Sequence, residues 1–277
     1  MPELPEVEII SRGLHRLIRD RVIDTVEVLF SGCLKGTAVK KIEKLPGKRV
    51  LGVRRRAKLA IVDLEKDLHL VFHLKMTGRL VFDEHLDHGV DKHTHLIINF
   101  ADRTRLLFRD LRKFGYCLIL KTGEFEGWEF YTRLGPEPLE MSFSEFTNVV
   151  RGRKGRIKAL LLNQERIAGI GNIYADESLY AAGIHPARAC CDIPERQLRK
   201  LFAALQDVLS RAIDSGGSSF SDYVNSLGDP GSYQDLFQVY GRRGQGCRCC
   251  RSDLQRETIA GRTSVFCPKC QPWNERS

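Results

Sequence analysis

Four cysteines near the C-terminus fall into two pairs, Cys247-x2-Cys250 and Cys267-x2-Cys270, with sixteen residues between them. Two tight turns that each present two thiolates make the tetrahedral cage that Zn2+ takes in a zinc ribbon, with sulfur about 2.3 Å from the metal. All four ligands then come from the chain and no position is left for water, so one structural ion is expected rather than a reacting one. Cys249 stays open as a substitute for Cys250 at a distorted spacing. Cys33, Cys117, Cys190 and Cys191 carry no such pattern and read as core or surface thiols. A finger of about 25 residues buries little apolar area, so metal binding would supply its folding free energy. Between the pairs, Arg256 and Arg262 read as the tips of a short basic hairpin.

A second chemistry is written in charge. The chain has 44 Lys and Arg against 35 Asp and Glu, a formal net charge of +9. The excess is clustered. Lys48 to Lys58 holds six basic residues and no acid, Arg151 to Asn172 six against Glu165 alone, and Gly241 to Ser277 eight against Asp253, Glu257 and Glu275. One such cluster is usually a solvated face, but three spread along a chain suit a groove for phosphates, and nucleic acid becomes the leading partner.

These groups need a scaffold, and 277 residues are enough for roughly two domains. Hydrophobic content of 42% supports a packed core. No apolar run reaches the ~18 residues of a membrane span; the best, Leu59 to Leu74, is broken by Asp63, Glu65, Lys66 and Asp67. The acidic start is unlike a secretory leader, and unpatterned cysteines suit a reducing compartment, so a cytoplasmic location is expected. Val7, Ile10, Leu14, Leu17 and Ile18 predict a helix over Pro5 to Asp20. Short β-rich runs follow to about Leu120, among them Val26–Phe30, Arg49–Val53, Leu59–Leu64, Leu68–Leu74, Leu96–Phe100, Arg105–Phe108 and Tyr116–Leu120. Their spacing predicts a β-sandwich or barrel with the helix packed on it. Gly135 to Leu139 reads as a linker. Beyond it come a capped helix from Ser142 to Val150, another from Ile157 to Arg166, a break at Ala168 to Asn172, a helix from Ile173 to Ala182, and a long amphipathic one from Pro194 to Asp214. Ser218 to Pro230 reads as a loop.

Four motifs stand in one order: Met1-Pro2-Glu3-Leu4-Pro5-Glu6-Val7-Glu8, Arg56-Ala57-Lys58, Gly169-Ile170-Gly171-Asn172-Ile173-Tyr174-Ala175, and the cysteine ribbon. Together they resemble the bacterial formamidopyrimidine-DNA glycosylases, repair enzymes for 8-oxoguanine and ring-opened purines, over nearly the whole chain. The resemblance implies an α+β multidomain protein. A catalytic β-sandwich with a packed N-terminal helix would span 1–134, a helix–two-turn–helix DNA-binding domain 135–240, and a zinc-ribbon finger 241–277.

The resemblance also implies roles. Removal of Met1 would expose the secondary amine of Pro2 as nucleophile, with Glu3 for acid–base steps at the sugar, Glu6 in support, and Lys58 near the sugar or its 3′ phosphate. Met76, Arg112 and Phe114 match the residues that fill the gap left by a flipped base, although by pattern alone Met76 and Phe114 fit a core equally well. Asn172 matches a phosphate-binding asparagine, and Gly169 and Gly171 would let backbone N–H groups approach the same phosphate. His93, Lys154, Tyr240 and Arg262 match further DNA contacts, and Ser218 to Tyr233 corresponds to a lid over the flipped base. The expected partner is duplex DNA with oxidised bases, met by a monomer at the bacterial nucleoid. Two other readings stay open: an endonuclease VIII-like enzyme for oxidised pyrimidines, and a zinc-ribbon DNA-binding protein without catalysis. Leu4 and the Met76, Arg112 and Phe114 set favour the purine enzyme. Pro2, Glu3 and Lys58 together weigh against mere binding.

Overall fold

Apolar residues three and four apart at the N-terminus become the buried face of helix α1 (Leu4–Ile18), with Pro5 in its first turn, where a missing N–H costs nothing. The computed structural model describes residues 1–36, 38–219 and 226–273. Within these the chain forms two compact units, Met1–Thr132 with Ser215–Ser232, and Arg133–Asp214 with Tyr233–Ser277. The described residues from 241 to 273 thus group with the helices that precede them. Among the described residues, no helix is long and apolar enough to cross a membrane.

In the first unit, β1 (Ile23–Val28) and the short helix α2 (Ala38–Lys41) lead into β2 (Val50–Arg56), β3 (Leu59–Leu64), β4 (Leu68–His73), β5 (Gly78–Asp83), β6 (Thr94–Phe100), β7 (Arg105–Asp110), β8 (Tyr116–Leu120) and the single turn α3 (Glu129–Thr132). Two antiparallel sheets result, ordered β1-β6-β7-β5 and β2-β3-β4-β8. One apolar cluster draws Val7, Ile10 and Leu14 from α1, Leu96, Ile98, Leu106 and Phe108 from one sheet, and Val62, Leu70, Phe72 and Ile119 from the other. The seven β-rich runs each become a strand. The eighth strand, β5, has no clean alternation because Leu80 and Phe82 enter that cluster while Val81 packs with Ile97 and Leu107 on the other face.

The second unit is built on α4 (Phe143–Val150), α5 (Ile157–Leu162), α6 (Asn172–Ala182) and α7 (Glu195–Asp214). Ser142 caps α4 by accepting the Glu145 N–H, while Glu145 returns its carboxylate to the Ser142 N–H at 2.7 Å. Gly183 ends α6 in the left-handed conformation at φ +68°, a position that glycine takes without strain. Helix α5 stops at Leu162, four residues short of its expected end, because Asn163 to Arg166 turn back on themselves through Arg166 N to Asn163 O at 2.9 Å. The finger is a hairpin of β9 (Gln255–Ile259) and β10 (Arg262–Phe266).

Candidate active site and nucleic-acid interface

At the start of α1, Pro2, Glu3 and Glu6 are all buried, while Met1 is exposed. Glu3 is the N-cap, and the Glu6 carboxylate accepts the Glu3 N–H at 2.8 Å and the Ser218 N–H at 2.9 Å. Glu6 therefore serves the helix start, as a first-turn acid does, and also fastens the segment after α7 to it. The middle of the expected lid, residues 220–225, lies outside the described residues.

Lys58 sits on the two-residue turn between β2 and β3, where Arg56 pairs with Leu59. Arg55 holds this turn to α1, donating to Glu8 Oε2 at 2.6 Å and to the Ala57 carbonyl at 3.1 Å. Lys58 is 7% exposed, which sets it apart from a surface cation. Ala57 takes φ +52°, a conformation that costs an L-residue about 1–2 kcal/mol. Lys75, just before Met76, stands at φ +53°, and Lys113, just before Phe114, at φ +58°. Three expected site residues thus follow strained left-handed turns.

Met76, Arg112 and Phe114 are exposed, Phe114 at 53%, so core packing does not account for them. The Arg112 guanidinium lies over the Phe114 ring, 4.7 Å from its centroid. Their two loops are tied by Asp110, a buried carboxylate that accepts the Thr77 hydroxyl, the Arg112 N–H at 3.2 Å and the Gly115 N–H at 2.6 Å. A Cβ on Gly115 would stand 2.9 Å from Phe108 and 3.1 Å from Asp110 Oδ2, so this approach needs glycine. His93 is half-buried in a cleft of about 210 Å³ that Arg79, Asp91 and Arg109 also line.

His73 closes β4 opposite Leu59 and Tyr116. Burial, then the charges of Lys75 and Lys58, push its pKa down to about 3, and its Nδ1 accepts the Lys75 N–H at 3.1 Å. The histidine is therefore a neutral acceptor among cations. Burial also lowers Lys75 and raises Tyr116 to about 12.

In the second unit, Asn172 begins α6 with its side chain half-buried, and Nδ2 donates to the Thr263 carbonyl at 3.0 Å. This brings Asn172 beside Arg262, which is exposed at the start of β10. Lys158 Nζ donates to the same carbonyl at 3.2 Å and pairs with Asp176 at 2.6 Å, both side chains being buried. Burial pushes Asp176 up to about 7, opposed by the charge of Lys158. Glu177 accepts the N–H groups of Gln238, Val239 and Tyr240 at 2.8–2.9 Å and so places Tyr240. In the turn before α6 the Gly169 N–H is given to Gln164 Oε1 at 2.9 Å.

Lys154 is exposed on the rim of a cleft of about 500 Å³, which Arg153, Arg156 and Arg166 line as well. The Arg153 and Gly155 carbonyls accept the N–H groups of Cys191 and Cys190 at 2.8 and 2.9 Å, which pins this loop by its carbonyl side.

The ligand atoms of Cys247, Cys250, Cys267 and Cys270 lie within 4.8 Å of one another. Sulfurs about 2.3 Å from a tetrahedral ion stand about 3.8 Å apart, and the Cys247–Cys270 and Cys250–Cys267 pairs are separated by 3.8 and 3.4 Å. The cage fits a zinc-sized ion. Cys249 is exposed and outside it, which closes the alternative left by spacing.

Comparison with known proteins decides the family. Residues 1–117 match the formamidopyrimidine-DNA glycosylase N-terminal domain and residues 134–224 the H2TH domain of the same enzymes. A formamidopyrimidine-DNA glycosylase of Solibacter usitatus is 43% identical over 272 residues, covering 98% of this chain and 99% of its own. The chain belongs to the formamidopyrimidine-DNA glycosylase family. Lactococcus lactis members of that family superpose with a TM-score of 0.91 at 34–35% identity, covering 98% of this chain and 100% of theirs, one solved as a point variant with Fapy-dG-containing DNA and one with abasic-site DNA. Another Lactococcus lactis complex, TM-score 0.90 at 35% identity, holds DNA with an oxidized pyrimidine.

Against this family background, sequence reasoning missed several residues. Asp110 and Glu177 looked like ordinary acids, and only their buried clusters of N–H donors mark them as supports of the site. Arg166 had no motif around it. Its one signal was membership in the second basic cluster.

Proposed function

We propose that this protein is a bifunctional DNA glycosylase and abasic-site lyase of base-excision repair. It flips out and excises oxidised purines, 8-oxoguanine and formamidopyrimidines, from duplex DNA and nicks the abasic site by β,δ-elimination. The observation that carries the reading is the contrast between the buried Pro2, Glu3 and Lys58 and the exposed Met76, Arg112 and Phe114, both sets in one unit. Buried groups suit chemistry on an extruded sugar, and exposed ones suit the space it vacates.

Removal of Met1 leaves a secondary amine at Pro2. At an α-amino pKa of about 7.7–8.0, roughly a tenth or more of it is neutral near pH 7, and the positive end of α1 raises that share. Its lone pair attacks C1′, forming the N–C1′ bond. The C1′–base bond breaks, and its electron pair leaves with the base and is protonated. The sugar ring opens at C1′–O4′, with Glu3 managing the proton at the sugar, and an iminium forms. That cation acidifies C2′–H, so the C3′–O bond breaks, and a second elimination breaks C5′–O. Hydrolysis then frees Pro2. Lys58 faces the sugar or its 3′ phosphate, and Glu6 keeps the helix start in place. Met76 and Phe114 fill the stack, and Arg112 donates to the O2 and N3 acceptors of the orphaned cytosine.

His93, Lys154, Asn172, Tyr240 and Arg262 hold backbone phosphates. Cys247, Cys250, Cys267 and Cys270 would hold one structural Zn2+, which cross-links the finger and takes no part in the chemistry. The enzyme acts as a monomer on nucleoid DNA in the bacterial cytoplasm.

Borohydride trapping tests the reading with duplexes carrying 8-oxoguanine opposite cytosine, dihydrothymine, or no damage. An adduct on Pro2, formed fastest with 8-oxoguanine, is expected, and Pro2→Gln should abolish it while DNA binding survives. An adduct mainly with dihydrothymine supports the pyrimidine reading, which the oxidized-pyrimidine complex keeps in view. Tight binding with no adduct, from protein lacking Met1, leaves only a DNA binder.

A further inference from the structure

Helix α6 carries polar side chains at every fourth residue that reach the finger. Asn172 donates to the Thr263 carbonyl at 3.0 Å, and Asp176 Oδ2 accepts the Val265 N–H at 3.1 Å. Tyr180, next in this ladder, places its phenol oxygen 3.2 Å from Cys247 Sγ. Cys247 is fully buried, and its sulfur belongs to the four-cysteine cage. A cysteine that binds a metal does so as thiolate and has no proton to give. In the loaded protein, the hydrogen of this contact must come from tyrosine.

We infer that Tyr180 is a side-chain outer-shell donor of the metal cage: its O–H hydrogen-bonds to the Cys247 thiolate, aims that sulfur, and fastens the loaded finger to α6. The inference rests on the zinc reading of the cage. Three features single out this contact. A thiolate buried away from water needs donors, and the tyrosine adds a side-chain O–H to the backbone N–H groups of Cys249 and Cys250. Removal of such a partner typically weakens metal binding by about 10–100-fold. Finally, the same helix begins at Asn172, so metal retention and the placement of a DNA contact share one rigid element.

Tyr180→Phe separates this role from packing, because the ring stays against Val239, Leu254 and Val265 and only the O–H is lost. Full-length protein loaded with one zinc per chain is challenged with a colorimetric chelator. The variant is expected to release metal about tenfold faster. Cobalt-loaded protein supplies a readout that packing does not move: without the donor the sulfur is more electron-rich, so the sulfur-to-cobalt charge-transfer band shifts to lower energy. Equal release rates and an unmoved band overturn the proposal while the cage stands. Faster release with an unmoved band also overturns it, since the ring then acts by packing alone. Wild-type protein that takes up no metal overturns the cage, and the proposal with it.

Discussion

The two units position their proposed site residues by opposite means. In the first, Lys58, Met76, Arg112 and Phe114 stand on turns at the ends of strands whose interiors form one large apolar cluster, with Asp110 and Arg55 among the polar groups that tie those turns. In the finger, the apolar cluster reduces to Val239, Leu254 and Val265 with its cysteines. Its placement instead comes from buried polar groups of the second unit: the Lys158–Asp176 pair, three N–H groups on Glu177, and the Asn172 and Tyr180 contacts. A dense core fixes geometry through packing, which is indifferent to metal and salt. A small module must be fixed by directional bonds and a cross-link, each of which can be removed by solution conditions.

Metal removal should therefore break the comparison most visibly. Apparent zinc binding energies of about 10–16 kcal/mol are folding energies for such fingers. A strong chelator is expected to lower affinity for abasic-site DNA by at least about 100-fold, as Tyr240 and Arg262 lose their frame. The melting temperature of the first unit should move by no more than about 2 °C, less than a 1 kcal/mol change would produce in a domain of this size. Calorimetry and fluorescence anisotropy before and after zinc restoration check both halves; a first unit that melts with the metal gone would refute the independence of its core.

Acid should strike the other unit. His73 titrates near 6.5 when unfolded and about 3 when folded. Between these values the unfolded chain holds the extra proton, so stability is full above pH 6.5 and is lost as pH falls toward 3. At pH 4 the loss from this residue is about 3 kcal/mol. His73→Gln should flatten the wild-type slope between pH 6.5 and 4 by that amount in urea unfolding, and an unchanged slope would show that the buried ring is not held neutral by the fold.

Much of this was legible beforehand, and the reasons are physical. Helix α1, seven strands and the four-cysteine cage follow from period, turn chemistry and ligand spacing, all local properties. Strand β5 was hidden because both of its faces are covered, which erases alternation. Asp110 and Glu177 were hidden because their importance lies in N–H groups brought to them by the fold. The bond from the Gly169 N–H to Gln164, five residues earlier, is likewise a product of the fold that no local pattern announces. Exposure of Met76 and Phe114 could not be read from an apolar letter, which fits a core equally well.

That exposure makes a third prediction. Met76→Ala and Phe114→Ala remove side chains that the fold does not pack, so each should change unfolding free energy by less than about 0.5 kcal/mol. The same changes should lower kcat/KM on 8-oxoguanine duplex by about 10–100-fold, since the energy of filling the stack is lost. A stability loss of about 3 kcal/mol or more would return these residues to the core and remove them from the DNA interface.

The smallest effect belongs to Arg166. Arg166, in the turn after α5, lines the cleft with Arg153, Lys154 and Arg156, whose loop is pinned by the Arg153 and Gly155 carbonyls. If a backbone phosphate sits there, Arg166→Ala should weaken binding by about 1 kcal/mol whatever the lesion, and the slope of log affinity against log salt should become shallower by about one. Excision from bound complexes should stay unchanged, because this cleft carries no group proposed for the chemistry. A lesion-dependent loss would instead make this cleft part of substrate selection, and it would draw the second unit, which the comparison treats as a holder of DNA, into recognition of the damaged base.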